Sequence, residues 1–204
     1  MRGRHRSRDG WRDLLAGDGI DAGLSARLAE YAAMLASWGP AVDLFGGDDP
    51  ERVVPALTRE ALAALPWLDR AQTLVDVGSG NGFPAVPLLL ARPALRGTLL
   101  EPRERRWAFL KEVVRELGVA AEVRRERADE HVGSYDAVTV RGVEIDAWFP
   151  ATRRLLREGG MLLWWTSEAK AVELERRAAD GRVLTFALPS PSRGVLAAWR
   201  RCST

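Results

Sequence analysis

The chain has 204 residues, 47% of them hydrophobic and 19 of them glycine, which suits one compact α/β domain with a small appendage and needs no metal or disulfide support. A single cysteine, Cys202, excludes an internal disulfide and a zinc cluster, and no apolar run reaches the length that spans a bilayer, so a cytoplasmic setting is expected. Residues 1–12 carry five arginines and one aspartate, leaving 25 basic against 27 acidic residues elsewhere, so the net +2 resides in the arm and the body is close to neutral.

Taken in chain order, residues 1–15 read as a basic, disordered arm that can add nonspecific phosphate affinity. No hydrophobic signal segment follows the basic start, so secretion is not expected. Leu24, Leu28, Tyr31, Leu35 and Trp38 recur at steps of four and three, which predicts an amphipathic helix over 21–38 ended by Gly39-Pro40. Asp49 as cap, Pro50 at the first helical position, and Val53, Leu57 and Leu65 as apolar contacts predict a second helix over 50–65, stopped by Pro66. These two make a helical subdomain over 16–68, packed against a main domain over 69–204.

From residue 73 the pattern alternates. Strands are predicted at 73–77, 97–101, 121–126, 135–140 and 161–166. Helices are predicted from Phe83-Pro84 to Arg92, over 103–117 with Gly118 as its stop, over 146–157 and over 168–178. Two last strands, near 181–187 and 194–200, flank a loop that holds Pro189 and Pro191. Such alternation predicts a mainly parallel, doubly wound sheet with one antiparallel strand near an edge.

Ligands of these sheets bind outside the carboxyl ends of the strands, where the strand order reverses. The first strand runs into Asp76-Val77-Gly78-Ser79-Gly80-Asn81-Gly82, whose glycines permit a tight turn and close approach of a ligand. The helix that follows turns its free amides toward the same place. Asp76 can anchor the turn or meet a cationic group. Glu101 ends the second strand 19 residues after Gly82, where a carboxylate can accept both ribose hydroxyls of an adenosine and disfavours a phosphorylated ribose. No G-K-[ST] follows the glycines, which excludes a P-loop. A nicotinamide dinucleotide stays open on these features, but the turn departs from G-x-G-x-x-G and Asp76 precedes it, which favours S-adenosylmethionine. Asp129-Glu130, after the third strand, is placed either to contact adenine or to form a solvated turn.

Several segments together resemble the bacterial small-subunit ribosomal RNA guanine-N7 methyltransferases, the RsmG or glucose-inhibited division protein B family. The likeness runs over about residues 24–166 and is carried by Asp76–Gly82 with Phe83-Pro84-Ala85-Val86-Pro87-Leu88, by Leu100-Glu101-Pro102-Arg103-Glu104-Arg105-Arg106-Trp107-Ala108-Phe109-Leu110, by Arg127-Ala128-Asp129-Glu130, and by Thr139-Val140-Arg141-Gly142-Val143. It implies a Rossmann-like class I S-adenosylmethionine-dependent methyltransferase fold, with a mainly parallel seven-stranded sheet and an N-terminal helical subdomain. It further implies cofactor contacts at Asp76, Gly78, Ser79, Gly80, Gly82, Phe83, Glu101, Ala128, Asp129 and Glu130, with Arg141 as the catalytic candidate. The implied partner is ribosomal RNA or the small ribosomal subunit, met by a monomer. The chain departs from the family pattern on the acceptor side. Asp43-Leu44-Phe45 stands for N-L-T, Pro55–Glu60 for R-H-x-x-D-S, and Thr166-Ser167 for a lysine-glycine, while Ala85 and Gly142 replace a glycine and an alanine. A divergent enzyme acting on a small-molecule acceptor, or an inactive regulatory protein that binds the donor, are the alternatives.

Guanine N7 offers a lone pair and no proton, so its methylation needs positioning more than a general base. Arg141 can hold a guanine edge or a phosphate, or else pair with Glu144 or Asp146. Cytosine C5 chemistry would want a cysteine nucleophile, and Cys202 is in the wrong part of the chain. His131 is expected at the surface. Of Trp164 and Trp165, adjacent on one strand, at most one can face a substrate cleft as a stacking platform.

Overall fold

The structure is a computed structural model and describes residues 6–15, 20–178 and 180–201. Helices α1 (Arg8–Leu15), α2 (Ala22–Val42) and α3 (Pro50–Leu62) precede a 3₁₀ turn at Leu65–Leu68. Then come β1 (Thr73–Val77), α4 (Ala85–Ala91), β2 (Arg96–Leu100), α5 (Glu104–Leu117), β3 (Ala121–Arg124) and β4 (Tyr135–Arg141). A second 3₁₀ turn (Ile145–Ala147), α6 (Phe149–Leu155), β5 (Leu156–Thr166), α7 (Glu168–Arg177), β6 (Gly181–Ala187) and β7 (Val195–Arg201) complete the described chain.

The seven strands lie in the order β3-β2-β1-β4-β5-β7-β6. The first five pair in parallel, and β7 runs antiparallel between β5 and β6. This is the expected class I methyltransferase architecture. The chain winds outward from β1 to β3 and returns to β4, so the order reverses between β1 and β4, where a cleft must open. Both sheet faces are covered. Leu74, Leu99, Leu163 and Trp165 pack with α2, α4 and α5, whereas Val75, Leu100, Leu162 and Trp164 pack with α6 and α7. Alternation along each strand therefore feeds two separate cores.

Three expectations need correction at the N-terminal end. Residues 8–15, read as disordered, form α1, because Trp11 and Leu15 lie one turn apart and bury fully against α2. Ion pairs of Arg6 with Glu51 (2.6 Å) and Arg8 with Glu30 (3.7 Å) hold the arm in place, while residues 1–5 lie outside the described chain. Helix α2 passes through Gly39-Pro40 to Val42. Pro40 falls in its last turn, and the end is set by Asp43, left-handed at φ 52°, whose amide donates to the Gly39 carbonyl at 3.0 Å. Helix α3 starts as expected on the Asp49 side chain, which accepts from the Glu51 amide at 3.0 Å, but stops at Leu62, short of Pro66.

Strand β5 also starts earlier than expected, at Leu156 rather than Met161, and carries Gly159 at φ 71° within it. At the opposite end of the sheet from the cleft, Asp136 ties β4 to β1. It accepts from the Gln72 amide and from the amide and hydroxyl of Thr73, each at 2.9 Å, and from Arg157, also at 2.9 Å. Burial pushes its carboxyl upward, but these donors outweigh burial and leave it below the usual range. A depressed carboxyl stabilises the fold above its unfolded pKa, and that contribution is lost as pH falls through the folded value. Asp136→Ala is therefore expected to cost about 2–3 kcal/mol at pH 7 in urea unfolding, and less near pH 3. An equal cost at both pH values would remove the charge from the account.

Candidate active site

Strand β1 delivers its carboxyl end to the switch point, and the glycine turn follows. The Gly78 and Ser79 amides both donate to the Leu100 carbonyl, at 3.0 and 2.9 Å, which closes the turn onto β2. Glycine is required at two places in it. At Gly78 (φ 71°) a Cβ would come within 2.6 Å of Val143 Cγ2, and at Gly82 (φ 93°) within 2.5 Å of the Tyr31 hydroxyl. The helical segments clamp the turn from the other side. Tyr31 donates to the Asn81 carbonyl (2.5 Å), Asn81 Nδ2 to the Leu44 carbonyl (3.1 Å), and Arg106 Nη2 to the Asp43 carbonyl (2.8 Å).

A cleft of about 370 Å³ opens beside this turn, within the range of about 300–1,000 Å³ that houses small ligands. Val77, Gly78, Leu100, Val143, Ala128 and Ala147 give it apolar walls, and Glu101 gives it a carboxylate edge. Glu101 is only 4% exposed; its Oε2 accepts from the Gly80 amide (2.9 Å) and its Oε1 from the Arg103 amide (2.8 Å). Each oxygen keeps a second lone pair, so the carboxylate shapes the turn and can still accept hydroxyl donors. An apolar slot with a fixed acceptor pair suits an adenosine.

Not every expected contact is brought to this cleft. Ala128 is, but Asp129 and Glu130 face solvent, Asp129 paired with Arg127 (3.5 Å) and Glu130 accepting from the Arg127 amide (2.9 Å). Ser79 and Phe83 are buried behind the turn, where Ser79 Oγ donates to the Asp76 carbonyl (3.1 Å) and Phe83 packs on Tyr31 at 5.3 Å between ring centroids. In their place Arg103, Arg106, Glu126 and Arg127 line the cleft. Arg103 and Arg106 stand in the arginine-rich segment after Glu101, and that segment was the available signal. Glu126 gave none.

His131 is not a surface residue. It is 7% exposed, with Nδ1 2.7 Å from Glu126 Oε1 and Nε2 2.7 Å from the Tyr135 hydroxyl. Arg154 of α6 adds bonds to the carbonyls of His131 (2.5 Å), Ala128 (3.2 Å) and Asp129 (3.1 Å). The loop that walls the cleft is thus held from two sides.

Asp76 lies under the turn, 1% exposed. Its Oδ1 accepts from Thr139 Oγ1 at 2.7 Å, and its Oδ2 is buried with no partner among the described residues. Burial raises its pKa to about 7 against the hydrogen bond of Thr139, and the nearby Glu101 charge adds to the rise. Burial, and then the charge of Asp76, lifts the Tyr31 hydroxyl well above its usual value. A buried carboxylate oxygen without a donor fits a site that receives a cationic group from a ligand.

A second cleft of about 250 Å³ shares Gly142, Val143 and Glu144 with the first and continues past Thr166, Ser167 and Lys170. Arg141, the residue before Gly142, does not itself line it and has neither anticipated partner. Glu144 pairs with Lys170 (2.8 Å) and Asp146 with Arg177, while Arg141 Nη1 binds Glu60 Oε2 at 2.5 Å. Helix α3 packs over the carboxyl ends of β4 and β5 and supplies that carboxylate, a contact no local pattern announces. Trp164 (1% exposed) and Trp165 (3%) both border this cleft, but their side chains are buried in opposite cores, so neither opens a ring face as a stacking platform. Among the described residues no cluster of histidine, cysteine or acidic side chains could hold a metal, and no helix is long and apolar enough to cross a membrane.

Comparison with known proteins agrees with this geometry. The family described as rRNA small subunit methyltransferase G matches residues 24–189. Over 174 residues the chain is 37% identical to the ribosomal RNA small subunit methyltransferase G of Mycolicibacterium paratuberculosis, covering 78% of this chain and 70% of that protein. The protein of the same name from Stenotrophomonas maltophilia is 37% identical over 154 residues, covering 73% and 72%. Among solved structures, the Burkholderia thailandensis 1,6-didemethyltoxoflavin-N1-methyltransferase superposes with a TM-score of 0.61 at 17% identity, covering 92% of this chain and 94% of that one. The ribosomal protein L11 methylase of Lactobacillus delbrueckii subsp. bulgaricus does so with a TM-score of 0.61 at 16% identity, covering 73% and 80%. At these identities the structures share the fold alone.

Proposed function

The chain belongs to the rRNA small subunit methyltransferase G family, and on that footing we propose that its methyl acceptor is a guanine of small-subunit ribosomal RNA, modified at N7. It is a methyltransferase whose donor is S-adenosylmethionine. Bound in the larger cleft, that donor supplies a methyl group on a cationic sulfur.

The chain's own residues divide the remaining work. Glu101 is the acceptor for the ribose hydroxyls, the apolar walls at Leu100, Ala128 and Val143 enclose the base, and Asp76 balances the amino-acid cation from beneath the turn. The observation that carries the acceptor reading is the second cleft, which shares Gly142–Glu144 with the first and is bordered by Trp165, the β5 register partner of Arg141, while Arg141 itself directly precedes Gly142. Its one lining carboxylate, Glu144, is ion-paired with Lys170, and Glu60, buried behind it, is paired with Arg141, so neither stands ready as a general base. Guanine N7 requires none, and catalysis reduces to alignment. Arg141 can hold guanine O6 while N7 receives the methyl group. One observation favours a second reading. Both cations at the acceptor cleft are already neutralised, which suits an uncharged small molecule as well as a nucleobase.

The test is transfer of labelled methyl from the donor to 30S subunits, to free small-subunit ribosomal RNA and to a small-molecule extract. Label is expected in the RNA, and alkaline cleavage should map it to a 7-methylguanine. Label found only in the small-molecule fraction would reject the ribosomal acceptor and leave the methyltransferase assignment standing.

A further inference from the structure

The Glu60–Arg141 pair asks for an explanation that folding alone does not supply. Glu60 is 5% exposed, and a buried carboxylate with a single cationic partner is a poor source of stability. Its backbone carbonyl accepts from Trp165 Nε1 at 2.9 Å, so the end of α3 is fixed to β5 while its side chain is fixed to β4. The two partners are 81 residues apart in the chain and reach the acceptor cleft through their neighbours, since Glu60 is bonded to Trp165 and Arg141 precedes Gly142, and Trp165 and Gly142 both line it. Arg141 keeps a 29% exposed side chain, and only one of its nitrogens, Nη1, is engaged. Its remaining N–H donors have no protein partner among the described residues.

We propose that Glu60 is the positioning residue for Arg141 and selects a neutral base edge over a phosphate as the group Arg141 meets. The inference rests on the reading that Arg141 contacts the acceptor. Glu60 fixes one end of the guanidinium and leaves the other donors to the substrate, which sets the acceptor's distance and angle without contact of its own. The ion pair carries no net charge. A carbonyl oxygen on a planar base can take the free donors, whereas a phosphate approaching the pair meets the Glu60 carboxylate as well.

Glu60→Gln removes the charge and keeps the volume and one acceptor oxygen. In the full chain it is expected to lower kcat on labelled small-subunit RNA by about tenfold or more, with KM unchanged or lower. Freed of its carboxylate, Arg141 should gain a phosphate contact, so the slope of log binding constant against log salt should steepen by about one. Wild-type kcat with an unchanged salt slope would overturn the proposal. A second measurement does not depend on turnover. In ¹⁵N spectra of the wild-type protein, the Arg141 side chain (assigned by loss in Arg141→Lys) should be motionally restricted, and a freely rotating guanidinium would overturn the positioning role. If wild type methylates no ribosomal RNA while Arg141 is held and Glu60→Gln releases it, the acceptor reading fails and the positioning role stands.

Discussion

Replacing Glu101 with alanine is expected to weaken binding of S-adenosylmethionine on the order of 100-fold or more, the largest loss of any single change in the donor cleft. Two effects add. The carboxylate is the acceptor assigned to the ribose hydroxyls, and a hydrogen bond to a charged group contributes about 1.5–3 kcal/mol. It also anchors the Gly80 and Arg103 amides, at 2.9 and 2.8 Å, so its removal loosens the glycine turn and the start of α5 together. Glu101→Gln separates the two. The single amide oxygen can anchor only one of the two backbone amides and the NH2 group opposes the other, so thermal stability should fall less than in the alanine variant while donor affinity still falls. Titration calorimetry with S-adenosylmethionine and with S-adenosylhomocysteine reads both variants. An unchanged dissociation constant in the alanine variant would defeat the ribose assignment.

The second large effect is on pH dependence, through Asp76. Its folded pKa of about 7 lies above its ordinary 3.8 because burial penalises the charged form. Between those values the folded chain holds a proton that the unfolded chain has released. Stability contributed by this group is therefore greatest at acid pH and falls as pH rises from about 4 to about 7. The cost once it is fully ionised is on the order of 4 kcal/mol. Asp76→Asn abolishes it. Relative to the variant, wild type should lose stability across that window and level off above it, as read by urea unfolding at several pH values. The donor's affinity should move in the opposite sense. Ionisation of Asp76 prepares the buried Oδ2 for the donor's ammonium group, so wild-type binding should tighten from pH 6 to pH 8 while the asparagine variant stays weak and flat. A wild-type affinity independent of pH over that range would separate Asp76 from the donor.

Elements built on short-range rules are legible in the residues alone. The glycine turn, the Asp49 cap and the Gly118 stop each follow from a few adjacent residues whose backbone or side chain has one good local solution. Strand and helix alternation leads to the parallel sheet for the same reason. Boundaries are less secure. Pro40 does not end α2, where it forfeits only the bond of its own missing amide, and β5 begins at Leu156 because Tyr135 of β4 pairs with it ahead of an irregular stretch before Met161. Residues 8–15 look disordered in isolation. Trp11 and Leu15 order them only because α2 presents an apolar surface to cover.

The sequence by itself determined the glycine turn and the Glu101 strand end, because both follow from backbone geometry that neighbouring residues dictate, whereas only the tertiary structure decided that Glu126 and Arg127 line the cleft and Asp129 and Glu130 do not. The acceptor side was decided by tertiary structure. Arg141 faces Glu60 rather than Glu144, because α3 packs onto the sheet and brings a carboxylate across 81 residues of chain. Charges paired across such separations leave no periodic or local trace. Their energy depends on burial and distance, and both exist only once the helices have docked.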